Sequence, residues 1–136
     1  MRIEWSDDLS TGVDIIDSQH KELIKRINML VEAMDKGRGR EEVSKMVGFL
    51  GSYITNHFNM EERLMRRYGY PERNAHVDAH NEFIDDYKAF KDRIEGKGAS
   101  SALATSTHRW LRSWLIDHIS MTDRLFGAFL NVKAAG

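Results

Sequence analysis

Six histidines, His20, His57, His76, His80, His108 and His118, are the main chemical resource of this chain. His57 and Glu61 are four residues apart, as are His76 and His80, so on a helix each pair stacks on one face. Two donors one turn apart can share a metal ion. Taken singly, each pair also reads as a surface pair, or as a buried histidine satisfied by a carboxylate. The chain has no cysteine. That removes thiolate zinc sites, iron–sulfur clusters, disulfides and a cysteine nucleophile. Any ion must be held by nitrogen and oxygen.

The elements that would position these residues are helices. With 136 residues, 41% hydrophobic and 30% charged, the chain is sized and composed for one folded domain over 1–136. Period-two alternation is scarce, while helical periodicity appears four times. The expected helices run over about 18–36, 41–68, 72–95 and 101–132. The first starts at a cap on Asp17 or Ser18 and buries Leu23, Ile24, Ile27, Leu30, Val31 and Met34. Gly37 and Gly39 end it, Gly69 and Pro71 mark the second turn, and Gly96 and Gly98 the third. Short connections make neighbours antiparallel, so the expected fold is an all-α, up-down-up-down four-helix bundle. Residues 1–17 form an N-terminal arm that Trp5, Val13 and Ile15 can pack onto the bundle.

Folding the helices back at these turns, with a rise of about 1.5 Å per residue, brings His20, His57, His80 and His118 to nearly one height. Glu61 and His76 fall close to it. So many polar groups inside one core are costly unless something satisfies them all. Asp123 follows His118 by five residues, about 140° around an α-helix. The two should therefore reach inward from opposite edges of one buried face, and Asp123 reads as a ligand. Asp117 lies on the outer side. His108 is roughly 15 Å from His118 along the helix and reads as structural.

The candidate ligands are thus His20, His57, Glu61, His76, His80, His118 and Asp123. They are too many for one tetrahedral zinc ion and suit two octahedral ions with the carboxylates as bridges. Imidazole with carboxylate fits iron. A donor set with few anionic groups should bind dioxygen better than it cleaves it.

In order and spacing, His20, the His57/Glu61 pair, the His76/His80 pair and the His118/Asp123 pair resemble the single-domain bacterial hemerythrins. The resemblance covers essentially the whole chain, including the arm with Trp5. It implies a non-haem di-iron centre, two irons per chain with an oxo or hydroxo bridge, that binds dioxygen reversibly. One iron would take His76, His80 and His118, the other His20 and His57, with Glu61 and Asp123 bridging. Trp114 and Leu115 match oxygen-pocket positions of the family, and Leu23, Phe58 and Ile119 would line the pocket further; ordinary core packing is the alternative for each.

The implied role is oxygen carriage, storage or delivery to an oxygen-consuming recipient protein, without enzymatic activity. The alternatives are turnover of peroxide or nitric oxide at the same centre, or sensing of oxygen or iron. A net charge of −1, from 20 basic and 21 acidic residues, gives no field to hold nucleic acid or an anionic membrane. The acidic start has no apolar signal core, and no run is long enough to span a membrane, so a cytoplasmic protein is expected. Outer faces without a large apolar patch favour a monomer.

Overall fold

A computed structural model describes residues 2–135. Four long helical stretches form the up-down-up-down bundle, and no strand occurs among the described residues. The first helix, Asp14–Asp35, buries Ile16, His20, Leu23, Ile24, Ile27, Leu30 and Val31. This is one stripe at steps of three and four, with His20 set inside it. The second helical stretch runs through Gly39–Tyr53, a π-helical segment Ile54–Phe58, and Asn59–Tyr68. The third helix is Arg73–Lys97. The fourth stretch comprises Ser101–Trp114, a π-helical segment Leu115–Asp123, and Arg124–Ala135.

Local chemistry sets the ends. Gly69 adopts φ +67°, and its N–H, like that of Tyr70, donates to the Met65 carbonyl, which closes the second helix. Ser100 caps the fourth, its hydroxyl oxygen accepting from the Leu103 N–H at 3.0 Å.

The first helix starts four residues before the position expected from a cap at Asp17 or Ser18. Val13 holds the cap position without a side-chain bond, and the arm ends there. Asp17 instead reaches back to organise the arm. Its carboxylate accepts from the Ser10 hydroxyl (2.6 Å), the Thr11 N–H (2.8 Å) and the Thr11 hydroxyl (2.7 Å). Further out, Asn28 pairs with both backbone groups of Ile3 at 2.8 Å, and Lys21 lies over the Trp5 ring. Thr11 rests on Gly127, where any Cβ would overlap its carbonyl oxygen.

Burial works to raise the pKa of Asp17. The Ser10 and Thr11 bonds and the nearby His20 outweigh it, so the folded carboxyl titrates below its ordinary value. Its stabilisation is present above the unfolded value and is lost as pH falls through the lower folded one. Asp17→Asn should therefore melt several degrees below the parent at pH 7, a loss of about 2 kcal/mol. Thermal melts from pH 7 to pH 3 should show that gap closing. A gap of constant size would contradict the role of the charged carboxylate.

The outer surface is less uniformly polar than the sequence suggests. Met121, Leu125 and Val132 on the fourth helical stretch are all more than half exposed. No helix among the described residues is long and apolar enough to cross a membrane.

Candidate metal centre

Each of the four helical stretches contributes to one buried cluster. His20 comes from the first, His57 and Glu61 from the second, His76 and His80 from the third, and His118 and Asp123 from the fourth. None is more than 3% exposed. His108, though buried, belongs to neither donor group. Asp117 is exposed, as expected.

The two π-helical segments lie at the cluster. In an α-helix Asp123 would sit well away from the face of His118. The segment Leu115–Asp123 closes its hydrogen bonds one residue later, so the fifth residue falls where the fourth would. Asp123 Oδ1 consequently lies 3.1 Å from His118 Nε2. The two residues touch, rather than approaching from opposite edges of the face. The other π segment, Ile54–Phe58, carries His57, whose Nε2 is 3.1 Å from Glu61 Oε1.

Asp123 divides its two oxygens. Oδ2 faces His20 Nε2 at 2.8 Å, while Oδ1 faces His76 Nε2 at 2.9 Å as well as His118. Glu61 Oε1 lies 3.2 Å from His80 Nε2 and 3.8 Å from His76 Nε2, besides its approach to His57. Ligand atoms fall into two groups, each within 4.8 Å: Glu61, His76, His80, His118 and Asp123 in one, His20, His57 and Asp123 in the other.

Two further residues orient the donors, and the sequence pattern did not reveal them. His57 Nδ1 meets the Gln19 side-chain oxygen, and His80 Nδ1 lies 3.1 Å from Glu62 Oε2. Both partners can only accept, so each Nδ1 carries the proton and each Nε2 presents its lone pair inward. Gln19 and Glu62 reach across helix interfaces, where same-helix spacing gives no signal.

The electrostatics suit a cation. Burial pushes Asp123 upward, but the charge and contact of His118, then His20 and His76, hold it well below the usual carboxylate range. Burial and the Asp123 charge both push Glu61 upward, and His57 and His76 bring it below its ordinary value. Burial lowers His76, yet its contacts with Asp123 and Glu61 drive it up to about 9. A proton on His76 thus offsets part of the charge of the two buried carboxylates. Beyond these approaches to one another, the Nε2 atoms of His20, His57, His76, His80 and His118, and both oxygens of Glu61 and Asp123, are buried without a hydrogen-bond partner. Donors converging in this way fit metal ions of the nitrogen–oxygen class.

Aromatic rings flank the cluster. Leu23, Phe58, Leu115 and Ile119 are at most 1% exposed and share one core cluster with Tyr53. Phe58 stacks on the His80 ring at 3.8 Å. Trp114 differs from these four: it is half-buried, stacks on His118 at 4.6 Å, and faces a surface groove of about 400 Å³.

Known proteins are similar to this chain in sequence and in fold. Residues 11–130 match the profile of the hemerythrin HHE cation binding domain. A bacteriohemerythrin of Stenotrophomonas maltophilia is 34% identical over 123 residues, 90% of this chain and 77% of that protein. Another from Methylococcus capsulatus is 29% identical over 124 residues, 91% and 92% of the two chains. A crystal structure of wild-type hemerythrin superposes with a TM-score of 0.83 at 28% identity, covering 96% of this chain and 98% of that one. By the profile match, the identities and the shared fold, the chain belongs to the hemerythrin family.

Proposed function

We propose that this protein binds dioxygen reversibly at a non-haem di-iron centre, as an oxygen carrier, store or delivery protein rather than an enzyme. One observation carries the reading: the buried donors fall into two groups that share Asp123. His76, His80 and His118 would hold one iron and His20 and His57 the other, with Glu61 and Asp123 spanning both. Seven nitrogen and oxygen donors suit two six-coordinate ions better than one tetrahedral ion. Two bound ferrous ions would supply the electrons for reversible dioxygen binding.

The chain's own residues do the rest. Gln19 and Glu62 fix the imidazoles of His57 and His80 with Nε2 inward. Asp123 holds the two sides at a set separation through its two oxygens. Two carboxylates among five imidazoles make a donor set poorer in negative charge than the carboxylate-rich di-iron sites of ferritin-like bundles. That favours holding dioxygen over cleaving it. Leu23, Phe58, Leu115 and Ile119 keep water and anions from displacing the bound gas. Trp114 covers His118 on the groove side. The names of the bacteriohemerythrin relatives support the same function. An oxygen-consuming protein would be the recipient.

Metal and gas analysis test this directly. Protein reconstituted with ferrous iron should hold two irons per chain and take up one dioxygen for each pair. One iron per chain, or none, would contradict the reading.

A further inference from the structure

Tyr53 lies one helical turn before His57, on a face that also buries Val43, Met46, Val47 and Leu50. By position alone it is a core residue, and phenylalanine would fill the same space. Yet its hydroxyl is buried without a hydrogen-bond partner, which costs stability for no gain in packing. Its ring stacks on His57 at 4.8 Å with an interplanar angle of 21°, and His57 in turn meets the edge of His20 at 5.0 Å.

The two donor groups are unequal. The Glu61, His76, His80, His118 and Asp123 group has five members, whereas the His20, His57 and Asp123 group has three. The poorer group has room for a ligand from outside, and it is the one that Tyr53 stacks against. The buried members of the surrounding cluster are otherwise apolar, among them Leu23, Phe58, Leu115 and Ile119, which offer no hydrogen bond.

We propose that the Tyr53 hydroxyl donates a hydrogen bond to the small ligand taken on the His20–His57 side, and thereby selects ligands whose outer atom is electron-rich. Tyr53 is then a specificity-determining residue of the centre. The inference rests on the di-iron reading above.

Azide, a small anion with a strong infrared band, is the probe. Iron content, azide affinity of the ferric protein, the azide stretch in H2O and in D2O, and melting of the metal-free protein should be compared between the parent and Tyr53→Phe. The variant should keep its iron and bind azide about tenfold more weakly. The H2O-to-D2O shift of the azide band should be present in the parent and absent in the variant. The metal-free variant should melt at the same temperature as the parent or higher, whereas a merely structural hydroxyl would lower it. Azide affinity within twofold of the parent, or no isotope shift in the parent, would overturn the role. The isotope shift needs no substitution, so it decides even if the variant fails to fold. A parent that takes up no iron contradicts the proposed function itself. An iron-loaded variant with unchanged azide binding contradicts the role of Tyr53 alone.

Discussion

Asp123→Ala should leave the protein unable to hold either metal ion. Asp123 is the residue common to both donor groups, and it approaches His20 with one oxygen and His76 and His118 with the other. Removing it takes an anionic donor from both ions at once and leaves the two sides without their shared tether. Loss of an outer partner of a metal ligand already costs about 10–100-fold in affinity, and loss of a shared ligand should exceed that. Asp117→Ala is the matched control. Asp117 is an exposed carboxylate in the same π-helical segment and should keep the full complement. Metal analysis after dialysis, with circular dichroism to check that both variants stay helical, gives the comparison. Full metal content in Asp123→Ala would remove the bridging assignment.

Stripping the metal should lower the melting point by roughly 10 °C or more. The seven donors are buried, and their inward-facing atoms find no hydrogen-bond partner in the protein beyond one another. Without a cation, two interior carboxylates must be balanced by protons on histidine, a poorer solution in a space of low dielectric. Metal that binds only the folded chain adds its binding free energy to stability, about 4 kcal/mol when free metal exceeds its dissociation constant a thousandfold. Melts of one preparation before and after anaerobic chelation would show the difference, and readdition of ferrous iron should reverse it. Equal melting points would mean that the cluster is satisfied without a metal.

Much of this molecule was legible because its periodicities are local. Apolar residues at steps of three and four, broken by Gly37, Gly69 and Gly98, mark four helices and their turns, and folding these back brings the histidines to one level. The start of the first helix was not legible. Asp17 has the composition of a cap but acts one turn inside the helix, holding Ser10 and Thr11. The direction of Asp123 was misread because a π-helical turn has no composition signal. The five-residue spacing was itself the clue: residues that must share an ion at that separation require a turn one residue wider than an α-turn. Gln19, Glu62 and the lone hydroxyl of Tyr53 act between helices or in the pocket, so same-helix spacing is silent about them.

The central claim is reversible oxygen binding, and optical spectroscopy through repeated oxygenation tests it most directly. The iron-loaded protein is reduced anaerobically, oxygen is admitted, and the gas is then removed under vacuum. A ligand-to-iron charge-transfer band should rise with oxygen, vanish when the gas is withdrawn, and return on the next admission, without added reductant. Permanent oxidation on first exposure, or oxygen consumption that continues catalytically while reductant lasts, would contradict a carrier and identify the centre as an oxidase.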